Sequence, residues 1–140
     1  MEITNRKANF NYTIIKEIEA GIELVGTEIK SVRRGSVDIG DAFINIKNNE
    51  AYIINMYIAK YDEASLFNHD ERRTRKLLLH KEEIERLKSA KESDGISIVP
   101  LKMYEKNNHF KLLIATAKGK KLYDKRESIK KRDLERESKY

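Results

Sequence analysis

The sequence predicts a mainly β fold with short helices, an OB-like antiparallel β-barrel of about six to seven strands with two or three embedded helices. Short runs of β-branched and aromatic residues recur along the chain, and turn signals such as KNNE and EKNN separate them. The chain has 140 residues, which is the size of one domain. Strands of this length and spacing close readily as a small antiparallel barrel whose gaps are filled by helices.

The first third of the chain predicts two strands and a short helix. Residues 10–18, FNYTIIKEI, have the composition of a strand, and residues 22–25 predict a second, short strand after Gly21. The stretch GTEIKSVRRG predicts a helix of about two turns, which Thr27 caps and Gly35 ends. A helix this short is not stable alone, so it must pack on the sheet. Lys30, Arg33 and Arg34 fall mainly on its other side and form a basic edge.

The middle of the chain predicts a hairpin, a loop, a strand and the clearest helix. Residues 42–46 and 51–58 flank the turn KNNE. Residues 59–74 have no clean periodicity and predict a loop, and residues 75–80 predict a buried strand. Residues 81–95 predict a helix, because acidic residues begin it and lysines follow, as the helix dipole favours.

Two further strands, 96–104 and 109–117, complete the predicted barrel, and EKNN forms the turn between them. Pro100 predicts an edge position or a bulge in the first of these strands, because proline cannot donate a ladder hydrogen bond. The composition changes near residue 118. We therefore predict a barrel domain over residues 1–117 and a basic C-terminal tail over residues 118–140.

The tail carries nearly all of the excess positive charge. The net charge is +6, and residues 118–140 hold ten Lys/Arg and five Asp/Glu. This asymmetry indicates a polyanionic partner, nucleic acid first and an anionic membrane second, with a solubilising tail as the plain alternative. Leu122 and Ile129 give only a thin apolar stripe, so the free tail is predicted to be disordered and to fold on its partner.

Composition also excludes several classes of protein. There is no cysteine, which excludes disulfides and Cys-ligated metal sites. The N-terminus lacks the apolar run of a signal peptide, and no window approaches the roughly 20 apolar residues of a membrane span. We therefore expect a cytoplasmic protein. A membrane partner is not expected either, because binding of the tail to a membrane surface needs a larger apolar face than Leu122, Ile129 and Leu134 provide.

Catalytic signatures are missing from the sequence. His69, His80 and His109 lack the spacing of a helical metal site, so surface or hydrogen-bonding roles are favoured. There is no phosphate-binding loop, nucleophile elbow or dinucleotide motif. We expect no enzyme, cofactor or metal. A metal-dependent nuclease on an OB-like barrel stays open as the alternative, because Glu19 and Glu28 lie in otherwise apolar or basic stretches.

Three basic stretches of the barrel could form one phosphate-binding surface if the fold gathers them on one face. Each stretch taken alone is most often a solvated surface. The stretches are Asn5-Arg6-Lys7, then Lys30 with Arg33 and Arg34, and then Arg72, Arg73, Arg75 and Lys76.

An ordered series of motifs resembles the small protein B family, the SsrA-binding proteins of bacterial trans-translation. The resemblance covers almost the whole chain. The matching stretches are NRKA at 5–8, EAGIELVGTEIKSVRRG at 19–35, NNEAYIINMYIA at 48–59, RTRKLLLHKEEIERL at 73–87 and GKKLYDKRESIKKRD at 119–133.

The resemblance implies a non-catalytic RNA-binding function. Members of the family bind the tRNA-like domain of transfer-messenger RNA (tmRNA) and bring it to the A site of stalled ribosomes. Their tail occupies the decoding centre and the empty mRNA channel, where it becomes helical. The resemblance also implies indirect association with elongation factor Tu and alanyl-tRNA synthetase through the RNA. We expect a monomer, and another ribosome-associated RNA-binding role stays a second alternative.

The resemblance implies two sets of site residues. Asn5, Glu19 and Leu78 match barrel positions that the family uses for RNA. Basic residues beside these motifs are predicted to contact phosphates, namely Lys7, Lys30, Arg33, Arg75 and Lys76. The decoding-centre and mRNA-channel residues are predicted to be Gly119, Lys120, Lys121, Tyr123, Asp124, Lys125, Arg126, Ile129, Lys130, Lys131 and Arg132. Tyr123 stands where many members of the family have His.

Overall fold

The computed structural model describes residues 2–62 and 67–120. The predicted disorder and helix of the tail beyond Lys120 therefore lie outside the described residues. The elements in chain order are β1 (Glu2–Thr4), α1 (Arg6–Asn11), β2 (Tyr12–Ile22), α2 (Gly26–Arg33), β3 (Val37–Asp38), β4 (Phe43–Lys47), β5 (Glu50–Ile54), β6 (Tyr57–Ile58), β7 (Arg75–Leu78), α3 (Lys81–Lys91), β8 (Ile96–Lys106) and β9 (His109–Gly119).

Within the described residues, seven strands form one antiparallel sheet in the order β1-β8-β9-β2-β7-β5-β4, and β3 pairs with β6 apart from it. The longest strands, β2, β8 and β9, have eleven residues each and lie side by side. The sheet curls until its edge strand β4 comes into contact with β8. The predicted class, a mainly β OB-like barrel with embedded short helices, is confirmed.

Apolar side chains from all the long strands fill the interior of the curled sheet. Strands of an antiparallel barrel alternate between the core and the outside. Strand β2 contributes only Ala20 and Ile22 as buried residues, while Val99 and Leu101 of β8 pack with Ala115 and Ala117 of β9 in a second, smaller cluster. Among the side chains with at most 1% exposure are Ile44, Ile53, Leu77, Met103, Leu112 and Ile114. Helix α3 closes one end by burying Ile84 and Leu87.

Two Asn-Asn turns confirm the predicted hairpins. Asn48 and Asn49 join β4 to β5 with φ of 52° and 60°, and Asn107 and Asn108 join β8 to β9 with φ of 52° and 64°. Two successive positive φ angles define the type I′ turn, whose twist matches that of the flanking strands. Asparagine tolerates this conformation better than most residues.

The predicted irregularity at Pro100 is confirmed as a bulge. The register between β8 and β9 shifts between Pro100 and Lys102. Strand β1 pairs only with residues 102–104 of β8, so the proline lies beyond the end of that ladder. Its missing N–H therefore leaves no gap in the pairing.

The N-terminal elements differ from the prediction. Phe10 and Asn11 belong to α1, not to a strand, because Asn5 caps this helix by accepting a hydrogen bond from the Ala8 N–H. Strand β2 then continues to Ile22, with a bulge between Ile14 and Lys16 where its register with β9 shifts. Gly21 does not interrupt the strand, because it is paired on both sides, with Leu78 and with Lys111.

The start of α2 also differs from the prediction. The helix begins at Gly26, and the Glu28 carboxylate accepts a hydrogen bond from the Val25 N–H at 2.9 Å. Thr27 does not cap the helix, because its hydroxyl is hydrogen-bonded to His69 Nδ1 at 2.9 Å. His69 is buried, and its Nε2 lies 2.9 Å from the Ile58 carbonyl oxygen, which confirms the predicted hydrogen-bonding role.

Several element ends fall where local sequence did not place them. Helix α3 ends at Lys91 and β7 at Leu78, both earlier than predicted. Strand β9 continues through Gly119, two residues past the predicted domain boundary, while the division into two domains stays a prediction. Residues 59–62 and 67–74 contain no helix or strand, as expected. None of the helices in the described ranges is long and apolar enough to cross a bilayer.

Candidate nucleic-acid interface

The outer face of the sheet brings together residues from three strands where β2, β7 and β9 meet. Gly21 of β2 is paired with Leu78 of β7 on one side and with Lys111 of β9 on the other. Glu19 and Lys76 lie two residues before Gly21 and Leu78, so strand alternation puts them on the same face. We call these five residues, Glu19, Gly21, Lys76, Leu78 and Lys111, the outer-face patch.

Glu19 is held in place by two neighbours on β8. It accepts a hydrogen bond from the Tyr104 hydroxyl, and Lys106 Nζ lies 3.4 Å from its other carboxylate oxygen. The hydrogen bond from Tyr104, with the charges of Lys106 and Lys111, lowers the pKa of Glu19 although partial burial opposes the shift. Burial and the Glu19 carboxylate raise the pKa of Tyr104 to about 12. The carboxylate is therefore ionised and oriented at neutral pH.

Leu78 is an exposed apolar side chain in a polar setting. Half of its surface is accessible to solvent. It forms one wall of a cavity of about 190 Å³ whose floor is apolar, with Ile22, Leu24 and Phe110 among its residues. The rim of this cavity includes Arg33, His109 and Lys111. An apolar floor with a cationic rim matches the ring and the phosphate of a nucleotide.

The cations of the patch are partly balanced by acids. Lys76 Nζ lies 3.6 Å from the Glu50 carboxylate, and both side chains are exposed. Pairs of this kind contribute little to stability, because solvent screens them. They reduce the net positive field of the face, which bears on which polyanions it attracts.

Helix α2 extends the basic surface beyond the patch. Arg33 reaches the cavity beside Leu78. Lys30 Nζ lies 5.2 Å and the Arg34 guanidinium carbon 4.5 Å from the centre of the Tyr61 ring, in cation–π geometry. The exposed side of α2 therefore runs from the cavity of Leu78 to Tyr61.

Asn5 does not belong to this face. Its side chain is buried, and its amide donates to the Ile39 carbonyl at 3.3 Å and to the Pro100 carbonyl at 2.8 Å, while its oxygen caps α1. The amide is thus fully used inside the protein. The expected contact of Asn5 with RNA stays a prediction, and this position does not favour it, because the helix start and two buried carbonyls already engage the side chain.

Arg75 is also internal. It is fully buried, forms an ion pair with the equally buried Glu28, and donates to the Met56 carbonyl at 2.6 Å. The neighbouring Arg73 reaches the same carboxylate at 2.7 Å. The guanidinium is engaged inside the protein, because strand alternation turns Arg75 inward with Leu77 while Lys76 and Leu78 face outward. The phosphate contact expected of Arg75 stays a prediction, and this position does not favour it.

Lys7 lies at the other end of β2 from the patch. Its ammonium is 3.3 Å from Asp41, and it lines a separate cavity of about 400 Å³ with Asn11, Tyr12 and Phe43. The structure therefore does not bring Lys7 together with Glu19 and Leu78. It does bring together Glu19, Arg33, Lys76 and Leu78, with Lys30 on the same side of α2.

The last described residues anchor the start of the tail to this second end. Gly119 is paired with Tyr12, the Lys120 N–H donates to the Asn11 carbonyl at 2.8 Å, and Lys120 Nζ donates to the Asn9 carbonyl at 3.0 Å. The other tail residues assigned to the ribosome lie outside the described residues: Lys121, Tyr123, Asp124, Lys125, Arg126, Ile129, Lys130, Lys131 and Arg132.

Gly21 was not assigned to the site from the sequence, and four interface residues of β8 and β9 were missed as well, namely Tyr104, Lys106, His109 and Lys111. Their alternation with the buried residues of β8 and β9 was a usable signal, since alternate strand residues share a face. What the sequence did not show is that β9 is the neighbour of β2. In residues 2–62 and 67–120 there is no group of three or more His, Asp or Glu arranged to hold a metal ion.

The comparisons with known proteins all point to one family. The model of the SmpB protein family matches residues 2–140. The SsrA-binding proteins of Ligilactobacillus salivarius and Staphylococcus aureus are each 53% identical over 133 residues, which cover 95% of this chain and 86% of theirs. A solved structure described as "tmRNA-SmpB: a journey to the center of the bacterial ribosome" has a TM-score of 0.73 and 45% identity, covering 86% of this chain and 85% of that one.

Proposed function

Because the chain belongs to the SmpB protein family, we propose that it binds tmRNA through the outer-face patch and brings this RNA to stalled ribosomes. The role is that of an RNA-binding protein, without catalysis. Its curated relatives are named for binding SsrA RNA, and its structural neighbour is a tmRNA–SmpB assembly in the ribosome. The tRNA-like domain of tmRNA is the proposed ligand of the barrel.

The observation that carries this proposal is the exposed Leu78 beside an oriented carboxylate and a cationic rim. Proteins read folded RNA mostly at unstacked bases, which need an apolar surface and hydrogen-bonding groups for their edges. Leu78 and the cavity next to it supply the apolar surface. Glu19, fixed by Tyr104, supplies an acceptor for base amino groups or ribose hydroxyls.

The sugar-phosphate backbone would be held by the surrounding cations. Lys76 and Lys111 flank Leu78, and Arg33 lies on the rim of its cavity. Lys30 continues this surface along α2. Contacts of this kind give affinity and position without reading sequence, whereas the patch around Leu78 gives selectivity.

The tail is proposed to act at a second place, the decoding centre and the empty mRNA channel. Its density of lysine and arginine suits ribosomal RNA, and phosphate contacts would offset the entropy of ordering it. Gly119 and Lys120 anchor its first residues at the end of the barrel opposite the patch. The protein would thus join tmRNA to the ribosome as a two-ended adaptor.

The remaining partners would follow from the RNA. Elongation factor Tu and alanyl-tRNA synthetase act on tRNA-like acceptor ends, so we propose that they meet the protein on tmRNA and not by direct contact. One copy of the protein has one outer-face patch and one tail, which suits action as a monomer. Work on ribosomes would place it in the cytoplasm.

The barrel half of the proposal is tested with a transcript of the tRNA-like domain. Leu78→Ala and Glu19→Lys should each weaken binding about tenfold or more, since each removes a main contact of the patch. Ile15→Ala and Glu85→Lys are matched controls, because these residues are exposed but lie away from the patch. Unchanged affinity in both patch variants would reject this site.

The tail half is tested with a chain that ends at Lys120. This truncation keeps the pairing of Gly119 with Tyr12 and the bonds of Lys120. The truncated protein should bind the transcript within about threefold of wild type, because the patch is intact. It should not support tagging of peptides on ribosomes stalled at the end of a message, and normal tagging would reject the tail assignment.

The alternative nuclease function is tested in the same samples. Labelled transcript is incubated with the full chain and Mg²⁺, and its length is followed on a denaturing gel. We expect intact RNA that stays bound. Turnover of the RNA by the purified chain would favour the nuclease.

A further inference from the structure

Gly21 and Leu78 approach each other unusually closely. In the described part of the chain, β2 and β7 are joined by two residue pairs, Gly21 with Leu78 and Ile22 with Leu77. A methyl group at position 21 would lie 3.1 Å from Leu78 Cβ, 3.5 Å from its Cδ1 and 3.7 Å from its Cγ. Directly opposed Cβ atoms in antiparallel sheets are ordinarily about 4.5–5.5 Å apart. Because Gly21 has no side chain, the Leu78 side chain has room to lie beside it.

The backbone at position 21 does not itself require glycine. The glycines with positive φ in the described residues are Gly35 and Gly95, and Gly21 is in extended conformation within β2. Alanine would adopt this conformation without strain, and it is ordinarily the better residue inside a strand. Glycine therefore differs from alanine at this position in one respect, the room that it leaves for the Leu78 side chain.

We infer that Gly21 is a positioning residue for RNA recognition, acting through Leu78. The Leu78 side chain is shared by two adjoining surface cavities, one with Arg33, His109 and Lys111 and the other with Glu19 and Lys76, and Gly21 lines both. A side chain at position 21 would push the leucine away from β2. This would change the height of the apolar surface relative to Glu19 and Lys111.

The inference rests on the proposed function, since Leu78 must contact RNA for its position to matter. A purely structural role for Gly21 would give a different result. If glycine served only to let β2 and β7 pair, its replacement would lower stability and would act the same way whatever residue stands at position 78. A positioning role requires that the effect of position 21 depend on the Leu78 side chain.

A double-mutant cycle in the full chain tests this dependence. Binding of the tRNA-like-domain transcript is measured for wild type, Gly21→Ala, Leu78→Ala and the double variant, with a thermal melt of each protein. Gly21→Ala should weaken binding about tenfold, as expected when a leucine loses much of its apolar contact. The double variant should bind no more than about twofold weaker than Leu78→Ala alone, because Leu78→Ala already removes the Cγ and Cδ atoms that would contact the RNA, although its Cβ still faces the new methyl group.

The control is Gly26→Ala, since a methyl group there would meet nothing within 4 Å. It should bind and melt like wild type. Wild-type affinity of Gly21→Ala, or a tenfold loss that persists in the Leu78→Ala background, would overturn the inference. A fall in melting temperature of Gly21→Ala large enough to unfold it at the assay temperature would also count against it.

A measurement on the unmodified protein complements the variants. The Leu78 δ-methyl protons should show a nuclear Overhauser effect to the α-protons of Gly21, and both signals should shift when the transcript is added. Absence of the contact overturns the inference. Wild-type affinity of Leu78→Ala would instead show that Leu78 does not contact the RNA. That result would reject the proposed function, so it can be told apart from failure of this inference alone.

Discussion

Glu28 and Arg75 form an ion pair in which neither side chain is exposed to solvent. Glu28 comes from the first turn of α2, and Arg75 is the first residue of β7. Arg73 and the Val25 N–H complete the set of donors to the carboxylate. The pair therefore ties α2, with its basic outer side, to the strand that carries Leu78.

Glu28→Gln should lower the free energy of unfolding by about 3 kcal/mol, because it leaves the buried Arg75 charge without its counter-ion. Chemical denaturation followed by circular dichroism measures the change. Glu85→Gln, on the exposed side of α3, should stay within about 0.5 kcal/mol of wild type. Equal stability of the two variants would mean that the pair does not stabilise the fold.

The same pair predicts a dependence on pH. Burial alone raises the pKa of Glu28, but hydrogen bonds from Arg73, Val25 and Arg75 outweigh it, so the pKa in the folded protein is lowered from 4.5. The stabilisation is therefore complete above that value and is lost as pH falls through the lower, folded-state pKa. Denaturation series from pH 7 downward should show wild type and Glu28→Gln converging once the pH falls below the folded-state pKa of Glu28. Parallel curves would contradict the shift.

Tyr104→Phe should leave the fold intact and release Glu19. The pKa of Glu19 should then rise, because the hydrogen bond from Tyr104 is the main cause of its lowering. The titration of the Glu19 carboxyl carbon by NMR measures this directly. Affinity for the tRNA-like domain should fall about threefold, which corresponds to the loss of one hydrogen bond. Tyr12→Phe, at the far end of β2, is the control and should change neither quantity.

Glu50→Gln should make the patch less selective. The substitution removes the Glu50 charge that balances Lys76, so the net positive charge of the face increases. Binding of an unrelated single-stranded RNA should therefore strengthen about threefold at low salt. The gain should disappear as salt is raised, because the effect is electrostatic. Glu85→Gln serves as the charge-matched control. An equal gain in both variants would assign the effect to overall charge and not to Lys76.

Asn5→Ala should destabilise the protein and spare the RNA site. The loss of the α1 cap and of two hydrogen bonds to buried carbonyls should lower the free energy of unfolding by about 2 kcal/mol. Affinity of the folded variant for the tRNA-like domain should equal that of wild type. Asn9→Ala, an exposed position on the same helix, should be neutral. Unchanged stability together with weaker RNA binding of Asn5→Ala would indicate that Asn5 contacts the RNA.

The parts of the fold that could be predicted depend on neighbours in sequence. The Asn-Asn turns can be recognised in the sequence, because few residues accept two successive positive φ angles. Asn5 shows the opposite case. Its two carbonyl partners, Ile39 and Pro100, are 34 and 95 positions away, so the sequence around Asn5 cannot reveal that its amide is used inside the protein.

The candidate site was only partly predictable for the same reason. In the basic run that ends in Arg75 and Lys76, all charges look alike, yet strand alternation sends one guanidinium into the core and the next ammonium outward. Leu77, as a core residue, was a local hint of that division. Lys111 offered no such hint, because its place beside Gly21 follows from the pairing of β2 with β9.

The ladder between β2 and β9 has a mechanical consequence. One of its ends holds Gly21 and Lys111, and the other holds Tyr12 and Gly119, where the chain leaves the barrel. Strand β9 covers the distance between these ends in eight residue steps and β2 in nine, one of which is taken up by a bulge, so the two ends lie about 27 Å apart. The paired strands β2 and β9 therefore hold their two ends at a fixed distance. A partner that binds at the Gly21 end thus also determines where the tail leaves the barrel. Lengthening both strands by two residues would move that starting point by about 7 Å without turning any side chain over.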